Sequence, residues 1–152
     1  MDTTTNTKYS FYGNENVHAL TPINPKYKHI DSVFKLYDIL SNIWCRDTCA
    51  PRMRHNWTES NKTLGQCSIT SFLVQDIFGG TVYGIPLGDG NYHCYNIINN
   101  IKFDLTSEQF ESKKLIYAAE NIQERSVHFS KAEKHERYLY LLNALTAYTS
   151  SS

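Results

Sequence analysis

The dipeptide Asn99-Asn100 is the feature that most constrains how this chain can fold. It separates two short stretches, 92–98 and 101–105, that are rich in the apolar and aromatic residues typical of strands. Asparagine tolerates the left-handed backbone conformation that a two-residue hairpin turn requires. The sequence therefore predicts an antiparallel hairpin at this point. A turn of two residues also fixes the register, because the numbers of facing residues then sum to a constant.

This register places two ionisable side chains on one face of the hairpin. With Asn99-Asn100 as the turn, Tyr95 faces Asp104 and His93 faces Thr106. Because side chains alternate across a strand, His93 and Asp104 become diagonal neighbours, a relation in which long side chains can touch. By the same alternation, we expect Cys94 to point to the opposite face and to take no part in a site with His93.

Two helices are predicted before the hairpin. Apolar residues at three-to-four spacing predict the first, with Asp31 as N-cap and an end near Trp44. The same spacing predicts the second over 66–78, where Gly79-Gly80 ends it. The connection 45–64 is long and polar, and loops of this length within compact domains are often functional.

The remaining elements predict an α+β fold. A further strand is expected at 81–85, before the hairpin. Capping-box patterns at Thr106 and at Ser130 predict a short helix and a last helix that ends near Tyr148. Helices on both sides of a small antiparallel sheet are typical of the α+β class.

The length of 152 residues, with 41% hydrophobic residues, favours one globular domain. We predict a polar N-terminal tail at 1–29, partly packed on the domain, and a single domain at 30–148. The chain has 15 basic and 15 acidic residues and no basic block, so neither nucleic acid nor a membrane is an expected partner. The first residues lack a signal-peptide pattern, so we predict a cytoplasmic protein with reduced cysteines.

Cys67 is the candidate for chemistry because it falls in the first turn of the second predicted helix. The free N–H groups and partial positive charge of a helix N-terminus favour a thiolate and can also hold an oxyanion. A catalytic thiolate also needs a base and a group that orients the base. His93 and Asp104 could supply them if their face of the hairpin lies towards this helix end. A packed core residue is the alternative for Cys67.

Zinc is a second chemical alternative. Cys45 and Cys49 have a spacing that zinc ligands use, and His55 could join them with Cys67 or Cys94. No matching second pair of ligands follows in the sequence, so we predict no metal and no other cofactor.

Three blocks of sequence resemble the YunG-like family. They are "GQCSITSFLVQDIFGG" at 65–80, "HCYN" at 93–96 and "FDLTSEQF" at 103–110. Together, in this order, they form a specific match, and residues 137–142 add a weaker one.

The family order of helix-start cysteine, strand histidine and strand aspartate is similar to that of papain-like and transglutaminase-like thiol enzymes. The resemblance implies their fold, with a nucleophile helix packed on a small antiparallel sheet. It also implies a nucleophile, a base and an orienting residue, here Cys67, His93 and Asp104. Gln66, Tyr95 and Asn96 are the candidate supporting residues; Gln66 directly precedes the cysteine, so the Cys67 backbone N–H is the better oxyanion donor.

The expected function is cysteine-dependent acyl transfer, of the hydrolase, deamidase or isopeptidase type. Its substrate would be an amide or thioester in a protein, a peptide or a small molecule. The alternative is a non-catalytic binding module on the same scaffold.

Overall fold

The structure is a computed structural model that describes residues 8–110 and 113–150. Its helices are α1 (Val33–Ile43), α2 (Cys67–Phe78), α3 (Arg125–His128) and α4 (Ala132–Ser150). Its strands are β1 (Thr81–Pro86), β2 (Tyr92–Ile98) and β3 (Ile101–Phe103). Short 3-10 turns lie at Asn14–Asn16, Pro25–Tyr27, Arg46–Thr48, Pro51–Asn56 and Ser107–Phe110. The three strands form one antiparallel sheet in the order β1-β2-β3, so the predicted α+β class is confirmed.

The predicted hairpin is present in the predicted register. Asn99 and Asn100 adopt left-handed φ angles of 52° and 67°, and Ile98 pairs with Ile101. The third strand is shorter than expected and ends at Phe103, not at residue 105. Just after β3, the N–H of Asp104 points away from β2 and donates to the carbonyl of Tyr12 at 3.0 Å.

Helices α1 and α2 form where the apolar spacing predicts them, but the N-cap of α1 differs by one residue from the predicted one. The N-cap of α1 is Ser32 and not Asp31, because the Ser32 hydroxyl accepts the N–H of Lys35 at 3.0 Å. The end of α2 is as predicted: Gly79 and Gly80 have φ angles of 88° and 80°, which glycine adopts without strain.

Neither predicted capping box starts an α-helix at the expected residue. The segment after Thr106 forms only a 3-10 turn, Ser107–Phe110. The hydroxyl of Ser130 donates to the carbonyl of Val127 at 2.7 Å, and α4 begins two residues later, at Ala132.

The N-terminal residues that are described pack against the domain. Phe11, Val17, Leu20 and Tyr27 are buried in the same core as α1 and α2. Residues 1–7 lie outside the described residues, and the predicted division of the chain at residue 30 stays a prediction.

Helix α2 is the centre of the fold, packed against β2 on one side and α4 on another. Two buried hydrogen bonds fix its position. The indole N–H of Trp44 donates to the Thr70 hydroxyl at 3.0 Å, and the Asn96 amide donates to the Ser71 carbonyl at 2.9 Å. These bonds tie α2 to the end of α1 and to β2, so the N-terminus of α2 is held beside the start of β2.

None of the helices in the described parts of the chain combines the length and hydropathy that a membrane crossing needs.

Candidate active site

Cys67 is the first residue of α2, and its half-buried sulfur lies against the start of β2. The Sγ atom is 3.9 Å from the backbone oxygen of Tyr92. The loop before the helix depends on Gly65, which has a φ of 72°. A Cβ atom at Gly65 would come within 2.5 Å of the Cys49 sulfur and 3.0 Å of the Ala50 nitrogen. Only glycine lets this loop pass so close to its neighbour and still deliver Cys67 to the strand.

His93 and Asp104 form a short, buried hydrogen bond, as their predicted diagonal relation allows. The Nε2 atom of His93 lies 2.6 Å from Oδ2 of Asp104, and both side chains are 1% exposed. Because a carboxylate can only accept, Nε2 carries the proton in this bond. The other ring nitrogen, Nδ1, is therefore left for Cys67.

The Asp104 carboxylate is held by three further donors. Its Oδ1 accepts the backbone N–H and the hydroxyl of Thr106, at 3.1 and 3.2 Å. Its Oδ2 also accepts the hydroxyl of Tyr117, at 2.8 Å. A buried carboxylate with four donors has a fixed orientation, so it also fixes the ring of His93.

The electrostatics of the three central residues favour an ion pair. The pKa of the Cys67 thiol lies well below its usual value, because a hydrogen bond from Cys94 and the charge and hydrogen bond of His93 outweigh the opposing effect of burial. Burial lowers the pKa of His93, but the charges of Asp104 and Cys67 outweigh it and raise that pKa to about 10. The two shifts together favour a Cys67 thiolate paired with a His93 imidazolium.

The expectation that Cys94 stays apart from the site is wrong. Hydrogen bonding by the side chain and the backbone of Cys94 lowers the pKa of the Cys67 thiol, so Cys94 contributes to the site. Strand alternation does place Cys94 and His93 on opposite faces, but the sulfur lies against the strand backbone at Tyr92, where both faces are within reach. The nearby thiolate, together with burial, raises the pKa of Cys94 well above its usual value, so Cys94 stays a neutral donor.

The structure places the three candidate supporting residues near the centre but not on the sulfur. Gln66 is buried, and its Nε2 donates to the carbonyl of Cys45 at 3.1 Å. The hydroxyl of Tyr95 accepts the N–H of Ala119 at 3.0 Å, and the Asn96 amide binds α2. These bonds position the loop, the 113–123 segment and the helix.

Two residues of the site could not be assigned from sequence. Tyr117 lies in an irregular segment without a motif, yet it binds Asp104 and packs edge-to-face on Tyr95 with centroids 4.9 Å apart. Phe110 packs edge-to-face on His93, with ring centroids 4.6 Å apart. The only sequence signal for either is that Phe110 ends the third block of the family resemblance.

A cleft of about 570 Å³ opens at the sulfur. It is lined by the loop before α2, the loop between β1 and β2, the Ser107–Phe110 turn, α3 and the start of α4. Cys67 and His93 both line it. The free N–H groups of the first turn of α2 are at the same end, because a helix leaves its first amides without internal partners.

The zinc alternative is not supported in the described ranges. There, no three His, Cys, Asp or Glu side chains come together as a metal-ion site, and Cys45, Cys49, Cys67 and Cys94 are free thiols.

The sequence model of the family described as YunG protein matches residues 32–150. The chain belongs to the YunG family. Uncharacterized protein YunG of Bacillus subtilis (strain 168) is 39% identical to it over 74 residues. That match covers 49% of this chain and 59% of the Bacillus protein, so the chain spans less than two thirds of that relative's length. No solved structure matches the chain. All three central residues, Cys67, His93 and Asp104, lie within the part that the YunG family model matches.

The ion pair predicts an unusual dependence of stability on pH. His93, with its raised pKa, adds stability that is complete below pH about 6.5 and is lost as the pH rises to about 10. Cys67, with its lowered pKa, adds stability that is complete above pH about 8.5 and is lost as the pH falls through that lowered pKa. The two slopes cancel between pH about 6.5 and 8.5, and above this range stability falls by about 1.4 kcal/mol per pH unit.

Urea unfolding at several pH values checks this profile. The free energy of unfolding of the Cys67→Ser/His93→Gln double variant is subtracted from that of the wild type, which removes the contribution of other titrating groups. We expect the difference to be level from pH 6.5 to 8.5 and to fall towards pH 10. A steady fall that begins at pH 6.5 would mean that Cys67 is a neutral thiol in the folded protein.

Proposed function

We propose that this chain is a cysteine-dependent acyl-transfer enzyme, with Cys67 as nucleophile, His93 as proton carrier and Asp104 as the residue that orients His93. The proposal rests on three side chains that contact one another in turn, the first of which lines the cleft. A half-buried sulfur at a helix start interacts with a buried histidine, which is 2.6 Å from a buried carboxylate. A core cysteine needs neither an ionised partner nor an open cleft.

The fold that we propose is of the papain-like or transglutaminase-like kind. The support is the arrangement of its parts: the nucleophile begins a central helix, and that helix packs on an antiparallel hairpin that supplies the base. The order of the three residues in the chain is also the order of that class.

The proposed reaction has two halves. The Cys67 thiolate attacks the carbonyl carbon of an amide or thioester, and the carbonyl oxygen becomes an oxyanion that N–H groups of the first turn of α2 stabilise. His93 gives its proton to the leaving amine or thiol as the bond to the carbonyl carbon breaks, which leaves a thioester on Cys67. Water or an amine then gives a proton to His93, attacks the thioester and releases the thiolate.

The Asp104 carboxylate keeps the proton of His93 on Nε2 throughout this cycle. The other ring nitrogen, Nδ1, can then exchange a proton between the sulfur, the leaving group and water. Thr106 and Tyr117 hold the carboxylate in place, so the ring of His93 does not need to reorient between steps.

The experiment is a search for an acyl-enzyme. The purified chain is mixed with a panel of small activated thioesters and peptide anilides, and intact mass and released product are followed. We expect turnover, and a mass increase of one acyl group on the peptide that contains Cys67. Cys67→Ala should lose both, and Cys45→Ala, which removes another half-buried thiol, should keep both.

Two outcomes would contradict the proposal. One is acylation that is equally fast in Cys67→Ala. The other is a Cys67 that reacts with none of the panel and is alkylated by iodoacetamide no faster than free cysteine at pH 6. As a control for folding, the circular dichroism spectrum of each variant should match that of the wild type. A loss of acylation is then not due to unfolding.

A further inference from the structure

The lining of the cleft carries an excess of positive charge, although the whole chain has a net charge of zero. The basic residues that line the cleft are Arg52, Lys131, Lys134 and Arg137, and the acidic residue on the lining is Glu133. Glu133 forms an ion pair with Arg137. The charges of Arg52, Lys131 and Lys134 remain, and within residues 8–110 and 113–150 no ion pair satisfies any of the three.

Lys134 is held in the cleft by a chain of hydrogen bonds. Its ammonium donates to Nδ1 of His128 at 2.8 Å. The Nε2 of His128 lies 2.8 Å from the side-chain oxygen of Gln123, so Nε2 carries the proton. Burial and the neighbouring lysine lower the pKa of His128 to about 4, and the imidazole is neutral. A neutral imidazole can accept the bond from Lys134 without repelling it.

In this arrangement, two N–H donors of the Lys134 ammonium remain available. An ammonium has three N–H donors, and His128 takes one. The side chain is half-buried, and its charge interacts with the Cys67 sulfur. A half-buried lysine usually has an anionic partner, because burial without one is unfavourable. The Cys67 thiolate attracts this charge, but no carboxylate of the described residues pairs with it, so a bound anion from outside the chain would accept its remaining N–H donors.

We propose that Lys134, supported by Lys131, binds a carboxylate of the substrate close to the carbonyl group that Cys67 attacks. This rests on the proposed acyl-transfer function and narrows its substrate class to acidic amides and thioesters, such as acyl groups or peptide residues that carry a carboxylate. His128 is a positioning residue that holds the Lys134 ammonium.

Iodoacetate and iodoacetamide test this without a known substrate. They react at the same carbon and differ in one group, a carboxylate against a neutral amide. The rate of alkylation of Cys67 is measured with each reagent by peptide mass mapping, and each rate is divided by that of free cysteine. We expect the relative rate with iodoacetate to be about ten or more times the relative rate with iodoacetamide at low salt. This ratio should fall as salt screens the charge.

The imidazolium of His93 also attracts anions, so variants are needed to measure the contribution of Lys134 to the ratio. Lys134→Met should lower the ratio about fivefold, and Lys134→Arg should restore most of it. Lys28→Met, which removes an exposed lysine outside the cleft, should not change the ratio. Because both reagents meet the same thiolate, the ratio cancels any effect of a variant on the ionisation of Cys67.

The outcomes separate this inference from the proposed function. A wild-type ratio at or below one, or a ratio that Lys134→Met does not lower, overturns the carboxylate site. Fast reaction with iodoacetamide at pH 6 together with such a ratio leaves the thiolate nucleophile intact, so only the substrate class fails. The salt titration of the wild type tests the charge of the cleft even if a variant does not fold.

Discussion

Replacing His93 with alanine is expected to slow the alkylation of Cys67 by iodoacetamide about 30-fold at pH 6. Without the imidazolium, the thiolate loses an adjacent positive charge; the hydrogen bonds from Cys94 and the charge of Lys134 remain, while burial opposes ionisation. A thiol with an ordinary pKa of about 8.5 is ionised to roughly one part in 300 at pH 6. The higher nucleophilicity of a more basic thiolate recovers about a factor of ten.

The acyl-transfer rate should fall further than the alkylation rate. Alkylation needs only a thiolate, whereas acyl transfer also needs a proton for the leaving group and a base for water. Loss of a general acid-base group alone costs about 10²- to 10⁴-fold. We therefore expect thioester cleavage by His93→Ala to fall by about 10³-fold or more, so that the two readouts separate.

The measurement is a pH profile of Cys67 alkylation from pH 5 to 9, with the modified peptide identified by mass. The control is His55→Ala, which removes an exposed histidine and should follow the wild-type profile. The two variants are compared by urea unfolding, so that a change in reactivity is not mistaken for loss of fold. A His93→Ala profile that overlays the wild-type one would show that the imidazolium does not stabilise the thiolate.

The sequence predicts the parts of the site that depend on local geometry. The Asn99-Asn100 turn determines the hairpin register, and the register makes His93 and Asp104 diagonal neighbours. The apolar spacing and the Gly79-Gly80 stop determine α2, and hence the position of Cys67 in a first turn. Each of these rules acts over a few residues, so each can be applied without a structure.

The sequence does not predict what tertiary packing decides. Cys94 joins the site because the sulfur of Cys67 lies against the strand backbone, a relation that strand alternation cannot reveal. Tyr117 reaches Asp104 from an irregular segment, and Lys134 reaches the cleft from a helix that begins far along the chain.

Asp104→Asn is expected to lower the rate of acyl transfer about 10³- to 10⁴-fold, although the amide is close to the carboxylate in shape. The four donors around this side chain, from His93, Tyr117 and the two groups of Thr106, all need acceptors. An amide offers one oxygen and one NH₂ group. If the NH₂ group faces His93, the ring must accept with Nε2 and carry its proton on Nδ1, where it can no longer take a proton from the thiol or from water.

The other orientation of the amide is also unfavourable, because its NH₂ group then faces the N–H of Thr106. In both orientations the negative charge is gone, and with it part of the attraction that raises the pKa of His93 to about 10. The pH profile of Cys67 alkylation should therefore move towards that of an ordinary thiol. The Asp89→Asn control removes an exposed carboxylate and should change neither readout.

Thr106→Val separates the charge of Asp104 from its positioning. It removes one hydroxyl donor and leaves the backbone N–H and the carboxylate in place, so we expect a loss of less than about tenfold in rate and an unchanged alkylation profile. The prediction is contradicted if Asp104→Asn keeps a rate within tenfold of the wild type and an unchanged alkylation profile. Packing on Phe110 would then orient the imidazole of His93, and the carboxylate would have no role in catalysis. A loss in both variants to the same extent would instead assign the effect to the geometry of the turn after β3.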